Sequence, residues 1–221
     1  MNHPYFQPSR PVSFYAIVDT LYVRPENFPA MVSMVLRGKP DLLQIRAKDL
    51  DTPARKKLVE SVLPLFTGEK EEFSAPWRLL INDDWEVCQE FPEIGLHVGQ
   101  DDLPVEEARE ILGKDRILGL STHSLEQARG AMGKKEVLDY FAVGPVFQTP
   151  TKPEASAVGL DLLEQVVAEN PPLPFYGIGG VKLDNRRELL RRGAQGLVAV
   201  SEVLQAVDPG RVVTEFQSPY K

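Results

Sequence analysis

From Phe14 onward the chain keeps repeating one unit: a short apolar run rich in Val, Ile, Leu or aromatic residues, a polar or glycine break, then a stretch with helical periodicity. Strands separated by helices pair in parallel, so this repetition constrains the chain to a parallel sheet wrapped in helices. Candidate strands fall at 14–18, 42–45, 78–81, 95–98, 117–120, 140–143, 175–178 and 196–200. Eight units suit a sheet closed on itself, and the predicted fold class is α/β, a single (β/α)8 TIM barrel.

The helical stretches carry their own punctuation. Thr52 followed by Pro53 predicts a cap with proline at the first helical position, leading into Leu58, Val59, Val62 and Leu63 on one face. Ser124 is expected to cap a helix over 125–132, Asp184 to open one through Leu189 and Leu190, and Gly193 to end it. The unit after the third strand is short, because Trp85–Glu90 offers a turn or two before Pro92, and Cys88 there is expected to pack. Arg186, Arg187, Arg191 and Arg192 are expected to form the solvated face of an amphipathic helix.

At 221 residues and 43% hydrophobic, the chain can bury one sizeable core. The expected organisation is a flexible tail over 1–12, broken by Pro4, Pro8 and Pro11, and one barrel domain over 13–221. A net charge of -7 argues against nucleic acid and anionic membranes, which select basic surfaces. One cysteine and three scattered histidines give neither an internal disulfide nor zinc-ligand spacing, and no apolar run reaches membrane-spanning length. The expected setting is the cytoplasm and the expected partners are small molecules, with a homo-oligomer left open.

Chemistry concentrates where strands end. Gln44, Arg46 and Lys48 alternate after the apolar Leu42 and Leu43, which predicts that all three project to one face. An amide and two cations held together call for an anion, phosphate above all. Barrel active sites form at the C-terminal mouth of the strands. Asn82, Asp83, Asp84, Gly99, Gln100, Asp101, Asp102, Ser121, His123, Thr149, Thr151, Lys152, Gly179, Gly180 and Ser201 are all expected there. Asp83 and Asp102, on adjacent strands, suit a magnesium ion shared with substrate phosphate. Gly179, Gly180 and Ser201, after the seventh and eighth strands, suit a second phosphate held through backbone N–H groups. Two anion sites in one mouth point to a condensation in which one substrate loses pyrophosphate and the other carries a phosphate.

In order and spacing these motifs resemble the thiamine-phosphate synthase family. The resemblance is carried by Gln44-Ile-Arg46-Ala-Lys48, Ile81-Asn82-Asp83, His97-Val-Gly-Gln-Asp101-Asp102 and Gly119-Leu-Ser121, then by Gly144-Pro-Val-Phe-Gln-Thr149-Pro-Thr151-Lys152, Ile178-Gly-Gly180 and Val200-Ser201. It implies a barrel transferase that joins hydroxymethylpyrimidine diphosphate to thiazole phosphate, releasing pyrophosphate and forming thiamine phosphate. It further implies that Gln44, Arg46, Lys48, Asn82, Ser121 and Lys152 hold the pyrimidine diphosphate, and that Asp83 and Asp102 ligate Mg2+. Thr149, Thr151, Gly180, Val200 and Ser201 would receive the thiazole phosphate, with Arg46, Lys48, Ser121 and Lys152 as the catalytic set.

The chain departs from the family pattern at Ala47, at Asp84 beside Asp83, and at Glu202, which would repel the thiazole phosphate if it faced inward. Two alternatives remain. A thiazole tautomerase would use His123 as a base, and a noncatalytic thiamine-pathway protein would keep the pocket without turnover. On the leading reading, His97 and His123 are expected to hydrogen-bond loop backbone near the mouth.

Overall fold

The computed structural model describes residues 12–67, 78–151 and 156–218. Eight strands form the barrel: β1 (Ser13–Asp19), β2 (Leu42–Arg46), β3 (Leu79–Asn82), β4 (Gly95–Val98), β5 (Leu118–Thr122), β6 (Tyr140–Val143), β7 (Phe175–Ile178) and β8 (Gly196–Ala199). Each pairs in parallel with its sequence neighbours, and β8 closes onto β1 through Tyr15 opposite Val198. This is the (β/α)8 TIM barrel that the repeat predicted. Of the tail expected over 1–12, residues 1–11 lie outside the described residues, and Val12 is buried against the core.

Around the barrel run α1 (Phe28–Leu36), α2 (Thr52–Val62), α3 (Pro64–Thr67), α4 (Trp85–Glu90), α5 (Val105–Leu112), α6 (Leu125–Gly133), α7 (Leu160–Ala168), α8 (Arg186–Arg191), α9 (Ser201–Leu204) and α10 (Pro209–Gln217). Side chains alternate across each strand, so outward residues such as Phe14, Val18, Ile45 and Phe141 pack under the helices. Phe14 stacks on Phe216 of α10 at 4.7 Å between ring centroids.

The inner face is unusual for a barrel. Tyr15, Tyr140 and Tyr176 fill it together with Leu42, Leu80, Ile117 and Val198, where branched aliphatics commonly dominate. Glycines make the room: a methyl at Gly119 would lie 2.1 Å from the Tyr140 ring, and one at Gly196 would lie 2.5 Å from Tyr176. The hydroxyls are then satisfied within the barrel, as burial requires. Ser13, for instance, hydrogen-bonds Tyr176 at 2.8 Å.

Local expectations shift by a residue or two. Asp51, not Thr52, caps α2, accepting the Ala54 N–H at 2.9 Å, with Pro53 inside the first turn. The Thr52 hydroxyl donates instead to Asp84. Ser124 caps α6 as expected, and Gly193 follows α8 at φ 90°. That helix begins at Arg186 rather than Asp184, because Asn185 takes the capping position. Cys88 is fully buried, and burial pushes its thiol up to about 12, which suits packing and not nucleophilic work.

Candidate active site

Strand pairing sets the first two of the alternating residues Gln44, Arg46 and Lys48. Gln44 lies opposite Ile17 and Arg46 opposite Asp19, both on the inner face. The Gln44 amide Nε2 donates to the Tyr15 hydroxyl at 2.6 Å. Arg46 already holds a carboxylate, Asp19, at 2.6 Å, so its partner within the protein is the acid that ends the neighbouring strand. Lys48 does not continue the row. Pairing ends at Arg46, a turn begins at Ala47, and alternation has no force beyond the strand. Lys48 reaches across to Asp83 at 3.1 Å.

The three carboxylates of this region divide by role. Asp84 is buried and bonded to Arg55 at 2.9 Å and Thr52 at 2.8 Å, and it caps α4, so it ties helices together. Asp83 sits at the end of β3 with φ 62°, a left-handed conformation that aspartate tolerates better than most residues. Burial raises its pKa, a hydrogen bond and the like charge of Asp102 raise it further, and Lys48 opposes. Asp102 in turn accepts the Gly99 N–H at 2.6 Å. Two close acids with one partly exposed lysine leave negative charge that a divalent cation would balance. Among the described residues no cluster of three or more His, Cys, Asp or Glu could hold a metal. A two-carboxylate site fits an ion that completes its shell with phosphate oxygens and water.

Gln44, Arg46, Asn82, Ser121, Thr149, Thr151, Gly180, Val200 and Ser201 line a single cavity at the C-terminal mouth. Asp83, with its partners Lys48 and Asp102, directly follows Asn82. Lys152 lies outside the described residues. The far end of the cavity is shaped by Gly179 and Gly180 at φ 95° and 62°, a region that glycine alone enters freely. Asn185 holds that loop, donating to the Gly180 carbonyl and accepting the Lys182 N–H. Val200 and Ser201 stand at the start of α9. Glu202 turns away from the cavity, its carboxylate accepting the Leu183 N–H at 3.2 Å, so it does not confront a phosphate. Over the rim, the Tyr22 and Thr151 hydroxyls are 3.1 Å apart and join the loop after β1 to the loop after β6.

The two histidines part company. His123 does bond loop backbone, through Nδ1 to the Gly144 carbonyl, and it lines the cavity. His97 is 5% exposed inside the barrel and bonds side chains, Tyr140 at 2.8 Å and Ser121 at 2.9 Å. The expectation of a loop-backbone partner therefore fails for this side chain. Its place on β4 opposite Asn82 and Gly119 points the ring inward, away from the loops. Sequence reasoning also missed Asp19, Tyr15, Tyr140, Tyr22 and Asn185. Asp19 was within reach, since it ends β1 as Arg46 ends β2. The tyrosines were not, because an aromatic residue in a strand looks the same whichever face it takes.

A closed (β/α)8 barrel whose mouth sets cations and paired acids at one end, and glycine-shaped backbone with hydroxyls at the other, is a phosphate-handling barrel enzyme. The description "Thiamine monophosphate synthase" matches residues 14–203. The thiamine-phosphate synthase of Acidothermus cellulolyticus is 37% identical over 202 residues, covering 91% of this chain and 92% of that protein. The thiamine-phosphate synthase of Halalkalibacterium halodurans is 34% identical over 199 residues, covering 90% of each. Among solved structures, thiamine phosphate pyrophosphorylase from Pyrococcus furiosus superposes with a TM-score of 0.77 at 30% identity over 94% of both chains. The chain belongs to the thiamine monophosphate synthase family, a family of transferases.

Proposed function

We propose that this protein condenses 4-amino-2-methyl-5-hydroxymethylpyrimidine diphosphate with thiazole phosphate, giving thiamine phosphate and pyrophosphate. The observation that carries the reading is Asp83, which meets Lys48 and Asp102 directly after the cavity residue Asn82, in a cavity that Arg46, Gly180, Val200 and Ser201 also line. One end suits a diphosphate with its cation and the other a simple phosphate. The membership of the family and the names of the relatives support the same substrates.

In this reading Asp83 and Asp102 hold Mg2+, which when bound supplies charge neutralisation to the diphosphate as a Lewis acid. Gln44, Asn82 and Ser121 position the pyrimidine, and Arg46, Lys48 and Lys152 hold the diphosphate oxygens. The bond between the methylene carbon and the diphosphate oxygen breaks with both electrons on oxygen. The electron-rich aminopyrimidine tolerates the cation left behind. The thiazole nitrogen, kept in place by Thr149, Thr151, Gly180, Val200 and Ser201 around the phosphate, donates its lone pair to that carbon. The protein supplies position and electrostatics and no covalent nucleophile. Phosphorylated substrates and the single buried Cys88 fit a cytoplasmic setting, and no helix among the described residues is long and apolar enough to cross a membrane.

Incubating the purified protein with both substrates and MgCl2 tests the reading, with thiamine phosphate and stoichiometric pyrophosphate as the expected products. Isomerisation of thiazole phosphate without metal would favour the tautomerase reading through His123 instead. Lys152→Ala is expected to lower kcat by ~10²- to 10³-fold, as for the loss of one transition-state donor. Full activity in that variant would remove Lys152 from the mechanism.

A further inference from the structure

A hydrogen bond over the rim ties the cavity residue Thr151 to the loop after β1. That loop, residues 20–23, takes its shape from Asp19 and Arg46 at the strand ends. Thr20 donates its N–H to the Arg46 carbonyl at 3.0 Å, Leu21 to the Asp19 carboxylate at 2.9 Å, and Tyr22 and Val23 to the Asp19 carbonyl at 3.0 Å. The other oxygen of that carboxylate holds the Arg46 guanidinium, and Val23 is buried in the core. Tyr22 is thus anchored on both sides, with its ring packed partly against the core. Its hydroxyl reaches that of Thr151 at 3.1 Å, across 129 positions of chain. Thr151 lines the cavity and Tyr22 does not. The Thr151 N–H is held in turn by the Thr149 hydroxyl at 3.3 Å.

We propose that Tyr22 is a positioning residue for the acceptor substrate: its hydroxyl holds that of Thr151 ready to donate to thiazole phosphate, and so favours the phosphate ester over the unphosphorylated thiazole alcohol. This rests on the function proposed above. In the free protein either hydroxyl can donate to the other, because each has one proton and lone pairs. A phosphate dianion removes the choice. It offers acceptors only, so Thr151 must turn its one proton to the phosphate, and the lone pairs left behind take the proton of Tyr22. A hydroxyl that accepts one hydrogen bond donates a stronger one, and a bond to an ionised oxygen is the stronger kind from the start. The alcohol imposes no such order, since its own hydroxyl donates as readily as it accepts. Tyr22 therefore acts on the acceptor through Thr151, and the departure of pyrophosphate does not depend on it.

Tyr22→Phe keeps the ring and the main-chain bonds of the loop and removes only the hydroxyl. Initial-rate kinetics is expected to show KM for thiazole phosphate raised by ~3- to 10-fold, as for the loss of one hydrogen bond, with kcat and KM for the pyrimidine diphosphate within ~2-fold. With the thiazole alcohol as acceptor, wild type and variant should have the same kcat/KM. An unchanged KM for thiazole phosphate would overturn the proposal. So would an equal fall for both acceptors, which a general loosening of the loop would give. Added to Thr151→Val, Tyr22→Phe should cost nothing further, whereas independent losses would overturn the proposal. Calorimetric titration of thiazole phosphate and of the alcohol, with MgCl2 and pyrophosphate present, makes the same comparison without turnover. A wild-type protein that binds thiazole phosphate yet forms no thiamine phosphate would refute the proposed function, and the titration would still decide the role of Tyr22. Equal affinities of wild type and variant for the phosphate would refute that role, and no binding by wild type would refute both.

Discussion

Arg46 meets its substrate already paired. Asp19 is 1% exposed and holds the guanidinium at 2.6 Å, which aims the arginine and limits how far it can move toward a diphosphate. Breaking a pair this buried by Asp19→Ala strands a cation, and unfolding in urea is expected to show a loss of about 3 kcal/mol. Asp83 poses the opposite case. Burial, reinforced by Asp102, raises its pKa above the ordinary value of 3.8, with Lys48 pulling the other way. An acid raised on folding opposes folding once ionised. That cost is absent below the ordinary value and fully present above the raised one. Asp83→Asn is therefore expected to raise the Tm of the metal-free protein at neutral pH, with the gain fading as the pH falls toward 3.8. The same change should raise the MgCl2 concentration needed for half-maximal turnover. A Tm gain that persists in acid, or an unchanged metal requirement, would show that the carboxylate is not held as described.

Among the elements, the loop after β7 joins backbone geometry to chemistry most directly. Gly180 has φ 62°, and a methyl there would meet Phe147 at 2.7 Å and the Gln148 carbonyl at 2.8 Å. Gly180→Ala is expected to cost about 2 kcal/mol, from the left-handed conformation and the crowding. It should also raise KM for thiazole phosphate while leaving KM for the pyrimidine diphosphate nearly unchanged, which initial-rate kinetics would resolve. The glycine pair was visible in the sequence as a phosphate-loop signal. Its second duty, nesting against the loop after β6, was not, because those residues are some thirty positions earlier in the chain. Strand positions were legible to within a residue or two, since each buried strand is a near-continuous apolar run. Caps were less so: in Asp51-Thr52-Pro53 two residues could cap, and the pull of Asp84 on Thr52 settles it. Periodicity could not say that β2 stops at Arg46 and releases Lys48 to Asp83.

For the molecule as a whole, the barrel separates chemistry from stability along its axis. At the N-terminal ends of the strands Arg109 donates to the carbonyls of Val137, Gly113 and Arg116 and to Asp139, itself bonded to the Leu118 N–H. Arg109→Ala leaves Asp139 buried without its cation and is expected to cost about 3 kcal/mol in urea unfolding, with kcat unchanged at temperatures where the protein stays folded. A large fall in kcat would mean that the two ends are coupled.

The order of apolar runs, breaks and amphipathic stretches was enough to establish eight parallel strands, and with them the end of the barrel at which Gln44, Arg46, Asn82 and Ser121 gather. Alternation and connection length are local properties, and closure follows from them. What needed the folded chain was the pairing across elements: Asp19 on Arg46, Asp84 on Arg55, Glu202 on Leu183, and the run from Gln44 through Tyr15, Tyr140 and His97 to Ser121. These contacts join residues up to 125 positions apart. Their partners are chosen by barrel register and by the space that Gly119 leaves, quantities that exist only once the sheet has closed.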